Sequence, residues 1–91
     1  MNTLKKINKF PYKRVHILWH DIQESDKAWI EKNDMMSEDV AVCQDIGFIF
    51  KQTKDKLWLF TSYSFDKKDN LSFGGLTVFP MGCIKKIERI D

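Results

Sequence analysis

The side chains in this 91-residue chain best suited to covalent or metal chemistry are His16, His20, Cys43 and Cys83. Nucleophilic catalysis needs a thiolate or hydroxyl beside a base, an orienting acid and oxyanion donors. His16 or His20 could meet Cys43 and Asp21 through the fold, but nothing in their spacing demands it, and a lone buried thiol is ordinarily inert packing. The expectation is no catalytic residue and no enzyme. A metal site meets a distance problem. Four residues along a strand span about 13 Å, too far for both imidazoles to ligate one ion through bonds near 2 Å. Cys43 and Cys83 have no companion a few residues away, so no zinc framework forms either, and neither metal nor cofactor is expected. Both read as reduced, buried cysteines of a cytoplasmic protein, since a secreted chain this small would usually carry more.

Binding chemistry is better represented. Seven Phe, three Trp and two Tyr are more large flat side chains than a small core needs, and surplus aromatics seat partners. Trp58, Phe60 and Tyr63, with Phe73, could stack on bases, which contributes about 1–3 kcal/mol per base in single-strand binders. Lys51, Lys54 and Lys56, with Lys67 and Lys68, could neutralise phosphates. Trp19 and His20, which close the first apolar run, complete the candidate set. The competing reading is that the aromatics are core and the lysines solvate hairpin tips.

The net charge of +2 hides a segregation. Residues 1–14 carry five bases and no acid, residues 21–45 carry eight acids against Lys27 and Lys32, and residues 46–91 carry eight bases against five acids. A chain so divided is no general polyanion binder; it suits selective binding or head-to-tail self-association. No run reaches the ~18 apolar residues a membrane span needs, and Leu4-Lys5-Lys6-Ile7 lacks the apolar core of a signal peptide.

These side chains need elements to position them. The length suits a single domain over residues 1–91, with a basic arm over 1–13 and a barrel over 14–90. Leu4, Ile7 and Phe10 stand at near-helical spacing in the arm, and Pro11 ends any helix there. Arg14–His20 is a first strand, with Val15, Ile17 and Trp19 on one face. Residues 21–42 form a long acidic excursion. In it Ser25 caps a short helix over Asp26–Glu31, Asn33-Asp34 stops it, and Met35-Met36 cover the barrel mouth. Ile46, Phe48 and Phe50 of a second strand oppose Gly47 and Ile49, and Gly47 marks a bulge or a close backbone approach. A polar loop at 51–56 leads into a third strand, Lys56–Tyr63. Both faces of this hairpin are apolar, so the excursion, a sister subunit or a partner must cover the second one. Phe65–Gly75 is a polar connector that closes on Gly74-Gly75 as a hairpin loop, Leu76–Phe79 a fourth strand, and Pro80–Cys83 one tight helical turn. Ile84, Ile87 and Ile90 fall three apart, which strict strand alternation cannot bury. The pattern fits a turn presenting Ile84 and a short last strand anchored by Ile87.

The order strand, excursion, hairpin, strand, turn, strand predicts a mainly β chain. The expected form is a small five-stranded antiparallel Sm-like barrel, with a short helix or long loop between strands 1 and 2. An open antiparallel sheet carrying one helix is the alternative.

Several local patterns then stand together: Trp19-His20-Asp21 with Trp29, Cys43 ahead of Gly47, Asp55-Lys56-Leu57-Trp58-Leu59, and Phe79-Pro80-Met81-Gly82-Cys83-Ile84-Lys85-Lys86-Ile87. Across residues 14–90 they resemble a group of small bacteriophage and prophage accessory proteins, with Ala28 where that group would carry Gly before the Trp. The resemblance carries over no catalytic residue. It implies a short cytoplasmic protein of an infected bacterial cell that binds a host protein or sequesters a host signalling nucleotide. The resulting expectation is a non-enzymatic counter-defence module holding a small anionic nucleotide in a homo-oligomer, since one small subunit encloses little volume. The alternatives are an interaction module that inhibits a host protein and a single-stranded nucleic-acid binder. A long nucleic acid fits the small net charge poorly.

Overall fold

One long strand serves two partners. In the computed structural model, which describes residues 10–91, β2 (Ala41–Gln52) pairs along residues 41–48 with β1 (Arg14–Asp21) and along residues 48–52 with β3 (Lys56–Phe60), both antiparallel. Phe48 is in register with both Arg14 and Phe60, so β1 and β3 flank opposite ends of β2. The strand passes between them at Gly47, where close approach leaves no room for a side chain. A Cβ there would lie 2.8 Å from the Phe60 carbonyl oxygen and 2.9 Å from Leu59 Cγ. The Gly at this position is the close backbone approach its strand context suggests.

Four further strands follow: β4 (Ser62–Phe65), β5 (Leu71–Gly74), β6 (Thr77–Pro80) and β7 (Ile84–Arg89), with a 3-10 turn at Met81–Cys83 between the last two. The main sheet has the order β6-β3-β2-β1-β7, and β4 and β5 form a separate two-stranded ribbon. The chain is thus mainly β and antiparallel, as expected. Among the described residues the expected five strands are seven in two sheets, and no ladder joins β6 to β7 to close a barrel.

The core lies on one face of the main sheet. Val15 and Ile17 of β1, Leu57 and Leu59 of β3 and Phe79 of β6 are buried together, with Trp19, Ile49, Met81, Ile84 and Ile87 packed against them. Each fully buried side chain of this kind contributes about 1.5–3 kcal/mol of transfer free energy. Ile84 and Ile87 both reach this core although they stand three positions apart. The β1–β7 register slips at Leu18/Trp19: Lys86 faces Leu18 and Ile84 faces Trp19, leaving Lys85 as an extra residue. Ile84 therefore belongs to β7 and not to the turn before it, and a bulge does what strict alternation cannot.

Other expectations are corrected. The third strand does not run to Tyr63; it breaks at Thr61, whose N–H donates to the Gly74 carbonyl at 3.1 Å. Gly75 crosses Thr61 with φ of 67°, and a Cβ there would collide with the Thr61 hydroxyl, so the chain can turn sharply only with Gly. A hairpin does form in the expected connector at 65–75, but its strands β4 and β5 take residues 62–65 and 71–74, so the loop itself is shorter than expected. The Asp66 carboxylate organises its turn by accepting from the N–H groups of Lys68 and Asn70, both at 2.8 Å.

In the excursion, the helix α1 spans Lys32–Ser37, not 26–31. Asn33 and Asp34 lie in its first turn, where a carboxylate suits the positive helix end, and they do not stop it. Ser25 accepts from the Lys27 N–H at 3.2 Å, a local turn and no helix cap. Met35 and Met36 cover nothing: α1 has no buried residue, and both side chains are exposed. The helical spacing read at Leu4 and Ile7 lies outside the described residues. No helix among the described residues is long and apolar enough to cross a membrane.

If Gly47 is required by close approach, Gly47→Val should lower unfolding free energy by about 2 kcal/mol or more, through overpacking against backbone. Gly82→Ala, where an added Cβ meets nothing within 4 Å, should change it by less than about 0.5 kcal/mol. Urea denaturation of the two variants checks both values.

Candidate functional site

The second face of the β2–β3 hairpin is aromatic and is covered by the chain itself. Phe48 and Phe60, paired across the strands, stack with centroids 5.4 Å apart. Phe10 packs edge-on to both, at 5.2 and 6.0 Å. Tyr12 lies edge-on to Phe60 at 5.3 Å, and Phe73 of β5 lies 4.7 Å from it. Tyr63 of β4, paired with Phe73, stacks on Phe10 at 4.3 Å. Cover comes from the segment before β1 and from the β4–β5 ribbon, not from the acidic excursion.

This cover is incomplete. Beyond Phe60 the face opens into a groove of about 310 Å³ lined by Phe50, Trp58, Phe60, Phe73 and Leu76. Alternation from Phe48 puts Phe50 on this face, and a bulge begins there. The β2–β3 register steps from Ile49↔Leu59 to Lys51↔Trp58, which leaves Phe50 as the extra residue of β2. The same step brings Lys51 opposite Trp58, with Nζ 5.4 Å from the ring centroid, a cation–π contact. Phe50 also forms the wall of a second hollow, of about 420 Å³, to which Tyr12, Lys13, Lys51 and Gln52 contribute polar groups. An apolar groove and a cationic hollow therefore share Phe50 as one wall, and Lys51, which lines the hollow, sets its ammonium over the Trp58 ring of the groove.

The sequence-derived candidates divide in two. Lys51, Trp58 and Phe60 converge at the groove, and strand alternation puts Lys56 on the same face as Trp58. Phe60 is fully buried and forms the floor, so it cannot itself stack on a ligand. Lys54 is exposed in the β2–β3 turn, where the Thr53 hydroxyl accepts from the Lys56 N–H at 3.1 Å. Tyr63 is committed to Phe10 behind the groove. Trp19 and His20 lie elsewhere. Trp19 packs into the main core, edge-on to Phe79 at 5.1 Å, with its buried Nε1–H lacking an acceptor. His20 is on the outward side of β1, opposite Val42.

Phe50, Leu76, Tyr12 and Lys13 were missed as site residues. Phe50 shares the Phe48 face by alternation alone, but its place as a groove wall depends, like the positions of the others, on long-range return of the chain.

The cysteines and histidines do not assemble. Cys43 pairs with Trp19 toward the core side, while His16 and His20 alternate to the other face. The His16 Nε2 lies 2.8 Å from the Gln44 side-chain oxygen. Among the described residues no three His, Cys, Asp or Glu side chains gather as a metal site. The Glu88 carboxyl is held below its usual range by its hydrogen bond to Lys86, 2.8 Å away, and by that residue's charge, and Lys86 is raised in turn. This pair is exposed on β7 and does not face the groove.

Comparison with known proteins adds no relative: no protein-family model, curated protein or solved structure matches the chain.

The division between floor and exposed indole is testable by stability. Phe60→Ala should cost about 3 kcal/mol or more by removing the floor of the aromatic cluster. Trp29→Ala, at a side chain 92% exposed, should stay within about 0.5 kcal/mol of the parent when both are unfolded at a dilution that keeps them monomeric. Guanidinium unfolding followed by circular dichroism would separate the two.

Proposed function

We propose that the chain is a non-enzymatic binding module that holds a small planar anion of the nucleotide class. The base would lie in the groove between Phe50, Trp58 and Phe73, and the phosphate would lie toward Lys51 and Lys13. The observation that carries this reading is the position of Lys51, its ammonium over the Trp58 ring and its side chain lining the neighbouring polar hollow. Apolar walls with a few convergent charged groups are the usual composition of a small-molecule site, and the groove volume stands at the low end of the ~300–1,000 Å³ such sites occupy. One base or mononucleotide moiety suits that size. A long polyanion does not, because the net charge of +2 gives little backbone attraction.

The strand order β6-β3-β2-β1-β7, with a 3-10 turn linking the two edge strands, supports reading the main sheet as an opened Sm-like barrel. In the setting implied by the likeness to phage accessory proteins, the ligand is a host signalling nucleotide and the activity is its sequestration in the infected cell. A second reading, inhibition of a host protein, is favoured by one observation: exposed Leu76 and Val78 flank the groove at the edge of the main sheet.

Equilibrium dialysis with AMP tests the first reading. AMP should bind saturably, and Lys51→Ala should weaken it about tenfold, or ~1.4 kcal/mol. Absence of saturable AMP binding, or equal affinity in the variant, would overturn the nucleotide reading.

A further inference from the structure

The acidic excursion is the part of the molecule that the core leaves unused. Trp29 is the most exposed of the large apolar side chains at 92%, and Ile22, Met35 and Met36 are exposed with it. Residues 22–40 carry six acids against two lysines. Exposed apolar groups concentrated on one segment mark a surface that meets something. At the other end of β2 lies the groove, whose walls are aromatic and whose nearby charges include Lys51, Lys56 and Lys13. The two surfaces are complementary in both respects: an indole flanked by Asp26 and Glu31, and an aromatic slot flanked by lysines.

Geometry directs this match between copies. Asp21 and Ala41, where the excursion leaves the sheet, are paired. Phe50 stands nine residues along β2 from Ala41, about 30 Å away at strand rise. Trp29 is eight residues past Asp21 and reaches at most about 26–29 Å in a fully extended chain. Its own groove is out of reach without stretching every residue between; a second copy's groove is not.

We propose that the excursion of one copy docks Trp29 into the Phe50–Trp58–Phe73 groove of a second copy, with Asp26 and Glu31 set against Lys51 and Lys56. The proposal rests on the groove being a site for an aromatic anion, since Trp29 between carboxylates offers the same chemistry. Each copy carries both plug and groove, so the contact is head-to-tail and propagates to a ring or an open chain. A nucleotide and a neighbour then compete for one groove.

Sedimentation velocity on the full chain without added nucleotide tests the docking, using two variants altered at exposed positions. Trp29→Ala removes the plug, and Lys51→Glu with Leu76→Glu spoils the groove. The parent should associate with rising concentration, and less so as salt is raised from about 50 to about 500 mM. Each variant alone should be monomeric with an unchanged far-ultraviolet spectrum. Their equimolar mixture should form a one-to-one dimer, because one supplies a groove and the other a plug. A monomeric parent, a variant that still associates alone, or a mixture that stays monomeric would overturn the proposal; the last is also the result if the excursion addresses a foreign basic protein. Because no nucleotide enters these runs, failure of AMP binding in dialysis leaves their outcome readable.

Discussion

The stack of Phe48 on Phe60 is the contact on which the outer half of the molecule depends. Phe48 is the residue at which β2 passes from its pairing with β1 to its pairing with β3, and Phe60 is the last residue of β3 before the chain breaks at Thr61. Two large rings at this junction cannot remain in water, because each buries on the order of 150–250 Å² when covered. The chain supplies the cover from both sides. Phe10 and Tyr12 arrive from before β1, and Tyr63 and Phe73 arrive on the ribbon that the Thr61–Gly75 crossing redirects. The result is a second, aromatic cluster back to back with the aliphatic core, with the sheet between them.

The groove follows from where this cover ends. Phe10 and Tyr63 gather over Phe48, Tyr12 stacks on Phe50 with centroids 5.9 Å apart, and Phe73 extends toward Trp58. The β2 bulge then turns Lys51 onto the face that Phe50 shares by alternation, so one wall and one cation border a space the ribbon leaves open. The groove thus arises from an incomplete aromatic core, not from a separate set of residues. In the proposed binding role, stability and binding would share the floor, Phe60.

Much of this was legible in the residues. The two apolar faces of the hairpin, the close approach at Gly47 and the helical turn after Pro80 each follow from a local rule of alternation, side-chain absence or fixed backbone angle. What escaped was non-local or depended on pairing. The bulges at Phe50 and Lys85 change which face a side chain takes, and only the partner strand reveals them. The break at Thr61 is hidden in sequence because Thr61 and Tyr63 are good strand formers, while its cause, Gly75, lies on the far side of the ribbon. Asn33-Asp34 was read as a stop because those residues favour turns, yet Asp34 is also well suited to a first helical turn. As for the site, Trp58 and Lys51 could be picked out by type and spacing. Trp19 matched them by type, but its alternation with Val15 and Ile17 assigns it to the opposite face.

The central claim is that the face bearing Trp58 is a binding groove with a cationic rim, and site-resolved magnetic resonance of the aromatic side chains tests it most directly. With AMP added to isotopically labelled protein, the account predicts saturable shifts at Trp58, Phe50 and Phe73, with Trp19 in the main core undisturbed. Shifts spread evenly over all aromatics, or centred on Trp19, or none at Trp58, would contradict it.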